Sequence, residues 1–202
     1  NRVIKAILFD FDGVLTVDKT GSASITKYIS EKCGISLETV KASYGKYNKA
    51  LLDGSIVHQD MWEAFCEDVG EWIPYEVLTE CFIATPLDEE MIALVKQLKE
   101  KYFIAMVTDN KADRINTVLR EKNLAPWFDF VAVSAELHMG KDSREVFDFV
   151  ARQLGVSADE CVFIDNTEKN LTIPNKMGMK TILFDDQNRN IEKFRAKLDS
   201  FL

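Results

Sequence analysis

The sequence predicts an α/β protein, a Rossmann-like parallel sheet core with an inserted all-helical cap. Three patterns carry that expectation. A short apolar run at the amino end, Val3, Ile4, Ala6, Ile7, Leu8 and Phe9, stops at Asp10, Asp12 and Gly13, as a buried strand does when it gives way to a loop. From there to residue 86, apolar residues recur at three- and four-residue spacing, a helical rhythm. Beyond Pro86, short apolar strands alternate with amphipathic helices, an order that builds a parallel sheet covered on both faces. The first strand therefore belongs with the later ones. The expected division is a core of residues 1–16 and 87–202 with a helical cap over 17–86.

Within the first strand, side chains two residues apart share a side, so Asp10 and Asp12 can face one site while Phe9 and Phe11 turn away. Like charges that close repel. Either Asp12 keeps a proton part of the time or a cation sits against the pair, and a solvated turn that merely ends the strand is the plain alternative. Helices are expected in the cap over 24–33, 36–52, 58–69 and 74–82, with Gly34, Gly54 and Gly70 as stops. A helix over 88–101 then leads to a strand over 103–107, and a helix after Asn110 leads to a strand over 128–133. A helix over 144–154 leads to a strand over 161–164, one over 167–177 leads to a strand over 181–184, and an amphipathic helix over 191–202 closes the chain. In open α/β sheets, ligands bind beyond the carboxyl ends of the strands. The polar residues there are Asp10 and Asp12, then Thr108, Asp109 and Asn110, then Ser134 and Glu136, and finally Asp165 and Asn166.

Composition narrows the partners. With 202 residues and 47% hydrophobic content the chain can bury a full core. A formal charge of −8 supplies no positive field for nucleic acid or an anionic membrane, and an anionic substrate would need local help. Cys33, Cys66, Cys81 and Cys161 lack metal or redox spacing and are expected as reduced structural thiols. No run approaches membrane-spanning length and the amino end carries no signal-peptide pattern, so the expected location is cytoplasmic.

In order, the chain carries FDFDGVL, AMVTDN, ELHMGKDSREVF, and FIDNTEKN followed by NKMGMKTILF, with LLDGSIVHQDMWEAF in the helical segment. Through these motifs essentially the whole chain resembles the haloacid dehalogenase-like superfamily, in the branch with a helical cap inserted after the first strand. The resemblance implies a Mg²⁺-dependent phosphatase acting on a small phosphorylated metabolite through an aspartyl-phosphate intermediate. Asp10 would be the nucleophile and Asp12 the acid/base. Thr108 and Asp109 would hold phosphoryl oxygens through the Thr108 hydroxyl and neighbouring backbone N–H groups, and Lys141 would supply positive charge to nucleophile and phosphate. Mg²⁺ would be held by the Asp10 carboxylate, the Asp12 main-chain carbonyl and the Asp165/Asn166 corner, with waters completing the shell. No nucleic acid or membrane partner is expected, and the chain would act as a monomer or homodimer.

Tyr44, Tyr47, Asn48 and Trp62 are the candidate specificity residues of the cap, although aromatic residues at helical spacing more often form core. Taken singly, Thr108 would serve as a helix cap and Lys141 as a solvated lysine. The chain also departs from the family pattern. Asn166 stands where many relatives have a second acid, Asp109 where many have Asn, and Lys141 is followed by Asp142, Ser143 and Arg144 rather than Pro-Asp-Pro, with His138 where Gly is common. Asp185 and Asp186 read as a solvated turn, and His58 and His138 as ordinary surface or cap residues. The alternative functions are a phosphomutase using the same aspartates and a non-catalytic binding or regulatory protein on the same scaffold. A carbon–halogen hydrolase ranks lower, since that chemistry has no leaving oxygen for Asp12 to protonate.

Overall fold

The computed structural model describes residues 3–202. Among these the strands β1 (Ala6–Phe9), β2 (Phe103–Thr108), β3 (Phe130–Val133), β4 (Cys161–Asp165) and β5 (Lys180–Leu183) form one parallel sheet in the order β3-β2-β1-β4-β5. The first strand is central, paired to β2 on one side and β4 on the other, with Phe9 opposite Met106 and Ile164. Every residue of β1 and β4 is buried, which is why both read as unbroken apolar runs rather than alternating ones. Alternate side chains of β1 feed opposite faces. Ile7 and Phe9 join the larger core beneath the helical insertion, and Ala6 and Leu8 join Phe147, Val150 and Phe163 on the other face.

Between β1 and the next core helix lie α1 (Gly21–Cys33), α2 (Leu37–Asp53), α3 (His58–Val69) and α4 (Glu76–Ile83), burying Ile25, Ile29, Tyr44, Trp62, Phe65 and Phe82 among themselves. The chain enters and leaves this insertion at one point. Thr16 and Leu87 form an isolated antiparallel bridge, Val17 N–H donates to Pro86 at 2.9 Å, and Asp88 N–H donates to Leu15 at 2.9 Å. Gly54, at φ +83, ends α2 and lies so close to the core that a Cβ would sit 2.0 Å from the Ala135 carbonyl.

The sheet is flanked by α5 (Glu89–Leu98), α6 (Ala112–Glu121), α7 (Ser134–Leu137), α8 (Arg144–Leu154), α9 (Thr172–Lys176) and α10 (Ile191–Asp199). The expected single helix over 167–177 is instead a 3₁₀ turn, Glu168–Leu171, followed by the short α9. Pro174 is the reason, because it has no N–H to donate to the carbonyl of residue 170. The short α7 was not expected either; it ends at His138 in the left-handed conformation, φ 57. No helix of the described residues is long and apolar enough to cross a membrane.

Candidate active site

The register of the sheet brings the polar strand ends together. Asp10 extends the ladder past β1, its N–H donating to the Ile164 carbonyl at 2.9 Å. Its carboxylate meets Lys141, whose Nζ donates to Asp10 Oδ1 at 2.8 Å and to Asp165 Oδ2 at 2.7 Å. The lysine is almost fully buried. Its loop is held by Asp109, whose Oδ1 accepts from Lys141 N–H at 3.0 Å and against which Gly140 packs, a Cβ there falling 2.8 Å from that oxygen. Asp165 is fixed in turn by Thr167 N–H at 2.8 Å and the Asn170 amide at 3.3 Å.

Asp12 sits in a different shell. Arg114, from the first turn of α6, grips it with two bonds, Nη1 to Oδ2 at 2.7 Å and Nη2 to Oδ1 at 2.9 Å. The Asn110 amide adds a 2.7 Å bond to Oδ2 and also donates to Thr108 Oγ1 at 3.0 Å, so Asn110 ties the phosphate-binding candidate to Asp12. The Thr16 hydroxyl donates to Oδ1 at 3.3 Å. Arg114 is completely buried; Nη1 also donates to Asn110 Oδ1 at 3.1 Å and Nη2 to Thr85 Oγ1 at 3.2 Å, where the insertion returns to the core. Gly21 permits this approach, since a Cβ there would lie 2.5 Å from Arg114 Nη1.

Electrostatics separate the two aspartates. Burial pushes the Asp10 carboxyl up to about 7, with Lys141 opposing and Asp165 and Asp12 adding to the rise. At Asp12 burial acts the same way but is overcome by the charge and hydrogen bonds of Arg114 and by Asn110, and the carboxyl falls below its ordinary value. Burial works against the Lys141 charge, yet Asp10, Asp165 and Asp109 together raise it. Between Asp10 and Asp165 one ammonium therefore serves two carboxylates.

Among the described residues no three His, Cys, Asp or Glu side chains gather as a ready-made metal cluster. The donor set at this corner is nonetheless of the hard-oxygen kind that suits Mg²⁺: the Asp10 and Asp165 carboxylates, the Asn166 amide and the Asp12 main-chain carbonyl. The residues fit such a cation in chemistry and in net negative charge.

A cleft of about 1210 Å³ opens beside Lys141, between α2 and the loops after β2, β3 and β4. Asn48, Lys49 and Leu52 line one wall and Asp109, Ser134 and Lys169 the other. Of the cap candidates only Asn48 faces this cleft, where its Oδ1 accepts from Ser22 at 2.8 Å. Tyr44 lines a smaller recess of 280 Å³ together with Asn48, and its hydroxyl meets His58 Nε2 at 2.8 Å. Tyr47 instead donates to Asp68, and Trp62 is buried with its Nε1 donating to the Ile73 carbonyl, so these two serve the packing of the insertion. His58 is no surface residue. It is fully buried, with Nδ1 between the two oxygens of Asp113 on α6, and burial lowers its pKa despite that carboxylate. The neutral ring thus donates from Nδ1 to Asp113 and accepts the Tyr44 hydroxyl at Nε2. His138 likewise bridges the two parts, its Nδ1 contacting the Asp53 carbonyl at 2.8 Å.

Asp185 is the solvated turn expected of it, but Asp186 is not. The Asn166 amide nitrogen donates to Asp186 Oδ2 at 2.9 Å, bringing that carboxylate beside the Asp165–Asn166 strand end. Arg114, Lys111 and Asp113 were also missed. The signal that could have found the first two is periodicity, because Lys111, Arg114, Ile115 and Val118 lie on one stripe of α6 and all are buried.

Carboxylates at the end of a central parallel strand, a buried lysine joining them to the neighbouring strand and a helical insertion over the top define a hydrolase site of the α/β class. The chain belongs to the haloacid dehalogenase-like hydrolases, whose family model matches residues 4–178. It is 24% identical over 211 residues to "Putative phosphatase YhcW" of Bacillus subtilis (strain 168), covering 94% of this chain and 92% of that one. The HAD family enzyme BT-2542 from Bacteroides thetaiotaomicron has the same fold. In its magnesium complex it matches with a TM-score of 0.76 and 20% identity over 96% of this chain and all (100%) of that one. Its complex with magnesium and inorganic phosphate gives 0.70 and 22%, over 95% and 100%. The L-2-haloacid dehalogenase PA0810 also matches, with a TM-score of 0.66 and 17% identity over 90% of this chain and 84% of that one. Proteins named for different reactions share this fold, so the choice of reaction rests on the side chains.

Proposed function

We propose that the protein is a Mg²⁺-dependent phosphatase that hydrolyses a small phosphorylated metabolite through an aspartyl phosphate on Asp10. Residues 1–16 and 87–202 are its catalytic core and 17–86 its cap. The observation that carries this reading is the buried Lys141 ammonium joined to Asp10 and Asp165, a cation placed where a phosphoryl group and its attacking carboxylate would accumulate negative charge. Among the described residues nothing donates to Asp10 Oδ2, the oxygen free to attack. In the first step Asp10 Oδ2 bonds to phosphorus, the ester oxygen leaves, and a protonated Asp12 gives it the proton. Thr108 and the N–H groups beside it hold the phosphoryl oxygens. Asp12, now the carboxylate that Arg114 and Asn110 hold, then takes a proton from water, which attacks the aspartyl phosphate. Inorganic phosphate leaves and Asp10 is regenerated. Asp10, Asp165, Asn166 and the Asp12 carbonyl would hold Mg²⁺, which would supply the charge neutralisation that lets a carboxylate approach a phosphate.

A phosphomutase is the second reading. Asp10 and Asp12 are only 6% and 7% exposed beneath the insertion, and exclusion of water is what returning the phosphoryl group to substrate requires. A dehalogenase is disfavoured because it has no use for an acid/base held as Asp12 is held.

The test is hydrolysis of an aryl phosphate and of a panel of sugar and nucleotide phosphates with and without Mg²⁺. Release of inorganic phosphate is expected, with a loss of roughly 10⁴-fold or more in Asp10→Asn. Activity that survives in the variant sinks the nucleophile assignment. Isomerised ester without free phosphate selects the mutase, and no turnover of any ester favours a non-catalytic binding role.

A further inference from the structure

The proposed cation corner has one acid followed by an amide, Asp165 then Asn166. The geometry around that amide brings a second carboxylate to it. Asn166 Nδ2 donates to Asp186 Oδ2 at 2.9 Å and towards the Lys19 carbonyl at 3.3 Å. Both partners are acceptors, so the nitrogen must face them and the amide oxygen faces away, free to bind a ligand. The amide also lies directly on the catalytic loop. Gly13 has φ +84, and a Cβ there would fall 2.1 Å from Asn166 Nδ2, so only glycine admits this contact.

Asp186 is delivered by a loop that is anchored independently. Asp185 turns it by accepting from Gln187 N–H and Asn188 N–H, each at 3.1 Å, and from the Asn188 amide at 2.8 Å. Arg189 then clamps it to the catalytic loop, donating to the Gly13 carbonyl at 2.8 Å and the Val14 carbonyl at 2.9 Å while pairing with Asp88 at 2.8 Å. The carboxylate of residue 186 is thus held in place before any ligand arrives.

We infer that Asp186 is a positioning residue for the cation: it carries the second negative charge of the corner and turns the Asn166 amide oxygen towards the ion. The inference rests on the Mg²⁺ phosphatase reading above. A second acid beside Asp165 would combine oxygen donor and charge in one side chain, whereas here the two are divided between residues 166 and 186. Asn166→Asp alone would then set two carboxylates at hydrogen-bond distance and deprive Asp186 and the Lys19 carbonyl of the amide donor they now share.

The experiment is calorimetric titration of the full chain with Mg²⁺, with circular dichroism and melting temperature to confirm folding. Asp186→Asn is expected to weaken binding by roughly 10- to 100-fold, as loss of an outer partner of a metal ligand does. Asn166→Asp is expected to bind no tighter than the natural chain, and the exchanged pair Asn166→Asp with Asp186→Asn to recover most of the loss. Asp165→Asn serves as the control. Natural-chain binding that depends on Asp165 but is unchanged in Asp186→Asn overturns this inference alone. Absence of Mg²⁺ binding by the natural chain, or binding indifferent to Asp165, overturns the Mg²⁺ reading with it.

Discussion

Asp10 and Asp12 stand two residues apart on one loop, are buried to the same degree, and are pushed in opposite directions. The difference lies in their partners. At Asp10, burial outweighs a lysine that is shared with Asp165, and the carboxyl rises to about 7. At Asp12 the same burial is outweighed by a guanidinium that grips both oxygens and an amide that adds a third bond. One side is short of positive charge and the other is fully supplied. Alone, these shifts would make Asp10 the acid and Asp12 the ion, the reverse of the proposed roles. On the Mg²⁺ reading a divalent cation beside Asp10 and Asp165 would favour the ionised nucleophile, but it does not raise Asp12, which must gain a proton on substrate binding before it can act as the acid. In the proposed cycle the partners that hold Asp12 as a carboxylate suit the base of the second half of the reaction, once it has given up its proton in the first.

The largest effect expected from breaking this contrast is chemical. Asp12→Asn removes the proton donor, so the first turnover on an alkyl phosphate should slow by about 10²- to 10⁴-fold. An aryl phosphate, whose phenolate leaves without a proton, should still give a burst of one product per enzyme followed by slow turnover. Rapid-quench measurement of both esters separates these outcomes. Equal slowing of the first turnover for both would remove Asp12 from its role as acid.

Next is a structural break. Arg114→Met leaves Asp12 buried without its guanidinium and should lower stability by about 3–5 kcal/mol, measured by denaturant unfolding. Combining it with Asp12→Asn should cost less than the sum of the single changes, because the orphaned charge is then gone. A small single cost, or strict additivity, would show that the Arg114 guanidinium is not what compensates the buried Asp12 charge.

How much of this was legible in the sequence differs between the two sides of the site. The Asp10 side was: apolar strand runs ending in Asp10, Thr108 and Asp165 announce a parallel sheet whose strand ends converge, and Lys141 came with the family motif. The Asp12 side was not. Arg114, His58 and Asp113 are charged or polar residues on amphipathic helices, positions that ordinarily face water. The seating of the helical insertion on α6 buries them; the stripe that Arg114 shares with Ile115 and Val118 hints at its burial, but no local pattern names Asp12 as its partner. Asp186 was hidden for another reason. Its partner is twenty residues away, and the two meet because β5 lies beside β4 with Asp165 opposite Leu183. In the insertion, helical spacing correctly gave the helices but could not tell Asn48, which faces the cleft, from Trp62, which faces the core.

The smallest effect concerns the second buried lysine, which repeats the contrast in cations. Lys141 has two carboxylates at hydrogen-bond distance and is raised; Lys111, 3% exposed, donates to Ser22 at 2.8 Å and lies 5.5 Å from the Tyr44 ring, with no carboxylate among the described residues at ion-pair distance. Burial, with Arg114 adding repulsion, lowers it to about 7. Below pH 7 the folded and unfolded chains both carry the proton, and the cost of the buried charge is fully present. Between pH 7 and the ordinary lysine value of 10.5 the unfolded chain binds the proton and the folded chain does not, so stability rises with pH. Lys111→Met, which keeps the volume and removes the charge, should therefore stabilise the protein by about 1–4 kcal/mol near pH 6, with the gain shrinking towards pH 9.5. The measurement is paired denaturant unfolding across that range. A gain that does not change with pH, or a loss at pH 6, would mean that the ammonium is better compensated than its surroundings allow and that the shortage of counter-charge is confined to Asp10.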